Sequence, residues 1–184
     1  MFSKIFSGGD TRKSRLHTEN DVFIGFPQAI SELPKAIAQK THNKFTGRRP
    51  PVPWWPMKAI SYVEKHLQSD MKAIEFGSGS STLWIAQRVE HVIIREHDHN
   101  WAKKTENLLA SNGARNWDME LRTGQDYFAL PSCRNYDFAV VDGEYRWKCL
   151  EALESKMNSG GLIYFDNADS DKDEAEEGEV VDGE

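Results

Sequence analysis

Residues 71–83 read MKAIEFGSGSSTL, and this segment changes at its centre from mainly apolar residues to glycine and serine. The apolar residues Ala73, Ile74 and Phe76 favour a short buried strand. The strand ends at Gly77-Ser78-Gly79, which passes directly into residues that favour a helix. Glycines at such a turn let the backbone bend tightly and leave no side chain in the path of a ligand. The segment therefore predicts a strand, a glycine-rich turn and a helix N-terminus, an arrangement that holds nucleotides in many folds.

Two positions separate this turn from the dinucleotide-binding pattern. Glu75 lies two residues before the first glycine, and Thr82 stands where that pattern has its third glycine. An acidic residue followed by x-Gly-x-Gly resembles motif I of the class I S-adenosylmethionine-dependent methyltransferases. A carboxylate here would repel a pyrophosphate, whereas it suits the sulfonium and amino groups of S-adenosylmethionine. The resemblance implies that the cofactor is bound by Glu75 and by the residues that follow it in the turn, namely Gly77, Ser78, Gly79, Ser80, Ser81 and Thr82.

A second signal lies in residues 91–98, which read HVIIREHD. This apolar run ends at Glu96, seventeen residues after Gly79. An acidic residue at the end of the second strand accepts hydrogen bonds from the ribose hydroxyls in folds of this kind. The resemblance gives Glu96 that role and places His97 beside the adenine. It also implies that Asp126, which follows a third predicted strand from Met119 to Arg122, meets the adenine amino group.

Two further markers follow in the order that the family has. Residues 136–143 read YDFAVVDG, a buried strand that ends in Asp142 and resembles motif IV. Residues 161–167 read GLIYFDN and resemble the fifth strand of the family. The resemblance implies that Asp142 lies beside the methionine part of the cofactor or beside the acceptor, and we expect it to be the catalytic residue.

The spacing of these strands predicts the fold class. Strands that alternate with helical patterns of ten to fifteen residues indicate right-handed crossovers and a parallel sheet. We therefore predict an α/β, Rossmann-like doubly wound sheet, and the family resemblance implies the strand order 3-2-1-4-5. One helix should present Met57, Ile60, Val63 and Leu67, another Trp101, Thr105, Leu108 and Leu109, and a third should close at Ser159-Gly160-Gly161.

The same patterns divide the chain into three parts. We expect an irregular N-terminal extension at residues 1–55, a cofactor-binding domain at residues 56–168 and an acidic, disordered tail at residues 169–184. The family has a sixth and a seventh strand after the fifth, and we expect these to be missing because the tail is too polar to form them. The pair Trp54-Trp55 either lines an acceptor pocket or covers the first helix, and we favour the second interpretation.

Charge and composition restrict the partners. The net charge is −6, but nine acidic residues and one lysine lie between Asp169 and Glu184. The rest of the chain, with 22 basic and 20 acidic residues, is close to neutral, so we do not expect nucleic acid as a partner. No apolar run is long enough to span a membrane. The two cysteines have no metal-ligand spacing, and we expect reduced thiols in a cytoplasmic protein.

Three functions remain open at this point. The resemblance favours an S-adenosylmethionine-dependent methyltransferase that acts on a small-molecule or glycan-like acceptor. The alternatives are a non-catalytic S-adenosylmethionine-binding module and, less favoured, a nicotinamide-dependent oxidoreductase. Metal-dependent O-methyltransferases hold a cation between residues that correspond to Asp142, Asp166 and Asn167. Those families have a lysine where this chain has Tyr145, so we expect no metal.

Overall fold

The structure is a computed structural model in which residues 52–168 are described. Most of the predicted N-terminal extension and the whole acidic tail from Asp169 lie outside the described residues, so the three-part division stays a prediction. The chain separates into two compact units, one that ends at His66 and one that begins at Leu67.

The first unit contributes helix α1 (Met57–His66) to the described residues. Its apolar positions recur at helical spacing, and Met57, Ile60 and Val63 are buried, as their pattern predicts. The amide of Ile60 donates to the carbonyl oxygen of Pro56 at 3.0 Å and closes the first turn. Leu67, which was expected on the same face, lies beyond the end of the helix.

The two tryptophans before α1 differ in their exposure. Trp55 is 1% exposed, whereas Trp54 is 60% exposed. The two side chains therefore have different surroundings, and only Trp55 shows the burial that a packing role requires.

The second unit alternates strands and helices along the chain. Its elements are β1 (Lys72–Phe76), α2 (Ser80–Ala86), β2 (His91–Glu96), α3 (His99–Ser111), β3 (Trp117–Leu121), α4 (Gln125–Phe128), β4 (Tyr136–Val141), α5 (Arg146–Glu154) and β5 (Met157–Phe165).

The five strands form one parallel sheet in the order β3-β2-β1-β4-β5, which confirms the predicted topology. The central strands are almost wholly apolar because both of their faces are covered. Ile74 and Phe76 of β1 are fully buried, as are Phe138 and Val141 of β4. Helices α2 and α3 contact each other on the β2–β3 side, and α5 packs on β4 and β5. The strand order brings the carboxyl ends of β1, β2 and β4 to one edge, where ligands bind in such sheets.

Two local expectations were wrong. Strand β3 begins at Trp117, two residues before the predicted start. Helix α5 ends at Glu154, so Ser159-Gly160-Gly161 does not close it but belongs to β5. Gly160 has a φ of 80°, and the pairing of β4 with β5 shifts register in this region. The glycines therefore lie at an irregularity of the strand, where their conformational freedom is needed.

Strand β5 lies at the outer edge of the sheet in this region. None of the helices in residues 52–168 has the length and apolar character needed to cross a bilayer. Cys133 is exposed and Cys149 is buried, and both are free thiols.

Candidate functional site

The glycine turn follows β1 directly. Gly77 is buried with a φ of 88°, a backbone conformation that side chains with a Cβ rarely adopt. A Cβ at Gly77 would lie 2.8 Å from the backbone oxygen of Asp142, whereas one at Gly79 would meet no described atom within 4 Å. The hydroxyl of Thr82 accepts a hydrogen bond from the amide of Gly79 at 2.8 Å. Thr82 therefore caps helix α2 at the position where a dinucleotide fold uses a third glycine.

Glu75 is the most unusual residue of the site because it is an acid in the centre of the sheet. It is 1% exposed, and the hydroxyl of Ser81 donates to its Oε1 atom. Burial raises the pKa of Glu75 to about 8; hydrogen bonding by Ser81 and Thr82 opposes this shift, and the charges of Asp142 and Glu96 add to it. A cation bound nearby would restore the charged form of Glu75.

Glu96 lies at the end of β2, next to the glycine turn. Its Oε1 atom accepts from the amides of His97 at 2.9 Å and Asp98 at 3.1 Å. Its Oε2 atom accepts from the hydroxyl of Ser78 at 2.7 Å. The Ser78 hydroxyl lies 3.1 Å from that of Thr105 on α3 as well. The carboxylate is thus fixed in orientation, and Ser78 holds a position on it that a ribose hydroxyl could take.

The loop after β2 is held by its own polar groups. The ring nitrogens of His97 lie 3.2 Å from Glu96 and 3.2 Å from Glu144, so His97 bridges the ends of β2 and β4. Asp98 caps α3 by accepting from the amide of Trp101 at 2.8 Å, and this bond lowers the pKa of Asp98. The expected burial of Trp101 was wrong: it is 43% exposed, and its indole N–H donates to the Ser78 carbonyl.

Two carboxyl groups meet where β4 and β5 end. The amide of Asp142 donates to the Phe76 oxygen at 2.9 Å, and the amide of Asp166 donates to the Val141 oxygen at 3.0 Å. The hydroxyl of Tyr164 donates to Asp166 at 2.7 Å. The pKa of Asp142 is raised, first because its carboxyl is desolvated and then because Asp166 is negatively charged and hydrogen-bonds to it. The carboxyl of Asp142 is therefore protonated more readily than an isolated one.

The strand ends bring most of the predicted residues together. Glu75, Ser78 and Glu96 surround the glycine turn, and Asp142 adjoins it through Gly77. Ser80 starts α2, while the hydroxyls of Ser81 and Thr82 are used within the protein. Asp126 lies exposed on α4, and its contact with adenine stays a prediction. Within residues 52–168, no group of three or more His, Cys, Asp or Glu side chains could hold a metal ion.

Tyr127 is a site residue that the sequence patterns missed. It is fully buried, and its ring lies 5.8 Å from that of Phe76 and 6.2 Å from that of His97. A Cβ on Gly143 would collide with its hydroxyl oxygen. Tyr127 therefore joins the turn after β1 to the loop after β4, and no motif around it signals this contact.

Arg95 was missed as well, although a signal existed. It is an arginine inside an apolar strand, and a buried charge of this kind needs partners. Arg95 is 4% exposed and pairs with Glu120 at 2.8 Å.

Comparison with solved structures shows which fold this is. A precorrin 8w decarboxylase from Methanobacterium thermoautotrophicum aligns at a TM-score of 0.53 and 22% identity, over 62% of this chain and 64% of that one. An rRNA methylase from Streptococcus thermophilus aligns at 0.53 and 16%, over 64% and 73%. A Streptococcus mutans protein assigned as a methyltransferase, solved with SAH, aligns at 0.50 and 12%, over 62% and 73%.

The chain has the fold of the class I methyltransferases. Neither protein-family profiles nor curated protein sequences match it. The alignment spans just under two thirds of the decarboxylase chain. Because these identities are below 25%, the methyltransferase fold is what the comparisons establish.

The buried acid gives this methyltransferase fold a pH-dependent stability. Since the pKa of Glu75 rises from 4.5 to about 8 on folding, the folded chain holds a proton that the unfolded chain releases in this range. The free energy of unfolding should therefore fall between pH 4.5 and 8, by at most about 1.4 kcal/mol per pH unit. Chemical denaturation of wild type and Glu75→Gln at pH 5 and pH 8 checks this. The variant should show a smaller decline, because the raised pKa of Asp142 still contributes in this range, and an equal decline in both proteins would contradict the assignment to Glu75.

Proposed function

We propose that this chain binds S-adenosylmethionine and transfers its methyl group to a small-molecule acceptor. The observation that carries the proposal is the burial of Glu75 beside the turn of Gly77 and Gly79. A carboxylate at this place opposes any ligand that brings negative charge and favours one that brings positive charge.

The charge around the turn separates the candidate ligands. Glu96 and Asp142 both add negative charge at Glu75. A dinucleotide would have to place its pyrophosphate among these three carboxylates, although nucleotide folds normally offer an anion a helix N-terminus without competing charge. S-adenosylmethionine carries a sulfonium and an ammonium group and no phosphate. The site therefore favours the sulfonium cofactor over a nicotinamide dinucleotide.

The residues fit the parts of that cofactor. Glu96 offers a fixed carboxylate to two ribose hydroxyls once the hydrogen bond from the Ser78 hydroxyl is broken. Glu75 offers a buried carboxyl group, which the cationic end of the cofactor would hold in its charged form. The Streptococcus mutans neighbour was solved with SAH, the demethylated form, which supports the same ligand for this chain.

The chemistry asks little of the protein. When bound, the cofactor supplies a methyl group on a positively charged sulfur. The side chains around it have to align the acceptor and exclude water. Asp142 adjoins the glycine turn and has a raised pKa, which suits a general base for an acceptor that must lose a proton. Asp166, held by the Tyr164 hydroxyl, fixes the orientation of Asp142.

We propose a small molecule as the acceptor because of the charge at this edge. Asp142, Glu144 and Asp166 all lie at the ends of β4 and β5, and Glu144 is 51% exposed. Their charges would repel the phosphate backbone of an RNA. The printed names of the neighbours include an rRNA methylase and a precorrin enzyme, so these relatives favour neither class.

Transfer of label from methyl-labelled cofactor tests the acceptor. The chain is incubated in parallel with a protein-free metabolite extract and with total RNA. Label in small molecules supports the proposal, whereas label that only RNA acquires, and that nuclease releases, refutes the choice of acceptor. Binding of cofactor without transfer in either mixture would favour the non-catalytic module.

The cofactor itself is tested by calorimetry with SAH and with NAD. We expect saturable binding of SAH and no heat from NAD at the same concentrations. The opposite result would make the chain a dinucleotide-binding protein and overturn the proposal.

We also expect activity to be independent of divalent metal. The two carboxyls that resemble metal ligands, Asp142 and Asp166, hydrogen-bond to each other, and Tyr164 engages the second one. Methyl transfer in the presence of a chelator should match transfer in added Mg²⁺. Activity that the chelator abolishes and Mg²⁺ restores would show that these carboxyls hold a cation.

A further inference from the structure

The contacts of Arg95 extend well beyond its pairing with Glu120. Its Nη1 group lies within hydrogen-bond distance of three backbone carbonyl oxygens, those of Asp126 at 2.6 Å, Tyr127 at 3.0 Å and Ala129 at 3.0 Å. All three carbonyls belong to α4 or to the residue that follows it. Arg95 therefore binds the C-terminal end of this helix, where carbonyl groups have no partner within the helix.

Helix α4 depends on such support. It has only four residues, and helices of that length are not stable by themselves in water. Its N-cap is Gly124, whose φ of 55° turns the chain sharply. A guanidinium group complements the negative end of the helix and makes charge-assisted bonds to its carbonyls.

The backbone of Arg95 contacts the glycine turn of the site. Its carbonyl oxygen accepts from the amide of Gly77 at 2.8 Å, within the glycine turn. The next residue, Glu96, is the candidate ribose ligand. Its backbone carbonyl accepts a hydrogen bond from the amide of Arg122, directly after β3. One residue thus joins the glycine turn, through its backbone, to α4, through its side chain.

We propose that Arg95 is a positioning residue that sets the adenine specificity of the cofactor site by holding α4 in place. The inference rests on the proposed function. Helix α4 carries Asp126, the candidate partner of the adenine amino group, and Tyr127, whose ring packs against His97. Arg95 itself would contact neither cofactor nor acceptor, and it acts through the placement of Asp126.

The test compares two ligands that differ at the amino group of the base and in the proton on the neighbouring ring nitrogen. SAH has the amino group, and S-inosylhomocysteine has an oxo group there, which a carboxylate repels. Wild type should prefer SAH by about tenfold or more, because sites that hydrogen-bond a ligand group reject analogues without it. Arg95→Lys keeps the charge but cannot span the carbonyls and Glu120 together, so its preference should fall below about threefold.

Two further variants separate positioning from general stability. Arg134→Lys is the matched control, because Arg134 also contacts Glu120, at 3.6 Å, and its preference should equal that of wild type. Glu120→Gln keeps the arginine but removes the ion pair that fixes its Nε atom, which loosens the guanidinium on the α4 carbonyls, so its preference should be intermediate. It decides the question if Arg95→Lys does not fold.

The outcomes are distinct. A folded Arg95→Lys with the wild-type preference overturns the inference, and so does a wild-type chain that binds both ligands equally. If Arg95→Lys does not fold, an undiminished preference in Glu120→Gln overturns it. A change in melting temperature with equal losses for both ligands means that Arg95 is only structural. A wild-type chain that binds neither ligand overturns the proposed function, and this inference falls with it.

Discussion

Replacing Gly77 with alanine is expected to destabilise the chain by about 3 kcal/mol and to abolish cofactor binding, because two costs coincide at this residue. Its φ of 88° is unfavourable for alanine. The new Cβ would also lie 2.8 Å from the backbone oxygen of Asp142 and 3.0 Å from the amide nitrogen of Gly143. These backbone atoms directly follow a central strand and cannot move aside cheaply, so the turn itself must shift. Chemical denaturation measures the first effect and calorimetry with SAH the second.

Gly113→Ala is the matched control for this prediction. Gly113 also has a positive φ, of 74°, but a Cβ there meets no described atom within 4 Å. The control therefore carries only the backbone cost, roughly 1–2 kcal/mol. Equal losses in the two variants would show that crowding at Gly77 is unimportant.

Replacing Glu96 with alanine is expected to weaken SAH binding by about 30-fold. The substitution removes the acceptor of two ribose hydrogen bonds, each worth roughly 1 kcal/mol. It also leaves the amides of His97 and Asp98 without the carboxylate that they donate to, so the melting temperature should fall as well. Binding is measured by calorimetry well below that melting temperature.

Glu106→Ala is the appropriate comparison for Glu96→Ala. Glu106 pairs with Lys103 at 3.2 Å on α3 and makes no ion pair with a residue of the glycine turn in residues 52–168. Its loss should leave affinity for SAH unchanged. If Glu96→Ala binds as tightly as this comparison variant, Glu96 has no place in the site.

The fold was predictable because strongly periodic signals carry it. The apolar runs of β1 and β4 and the glycines after β1 specify a buried parallel sheet, and the strand order is the one that the family resemblance implies. The ends of elements were less predictable. Gly160 and Gly161 resemble a helix stop, but pairing with β4 recruits them into β5, and tertiary pairing overrides a local turn signal.

The site was predictable where a side chain belongs to a linear motif. Glu75, Glu96 and Asp142 each end or nearly end a strand, so topology alone brings them to one edge. Tyr127 belongs to no such motif, and the signal at Arg95, a charge inside an apolar strand, does not identify its partners, because the contacts of both residues cross between elements that are distant in sequence. Their importance depends on distances that only the folded chain defines.

The bond between Ser78 and Glu96 has a consequence for the energetics of ligand capture. The Oε2 atom of Glu96 already accepts a hydrogen bond from the Ser78 hydroxyl at 2.7 Å. A ribose hydroxyl would therefore replace that donor and would not meet a vacant acceptor. Such an exchange releases little heat, because one hydrogen bond is made for each that is broken. The ribose contact would then contribute selectivity more than enthalpy, and the chain would keep its carboxylate oriented between successive ligands.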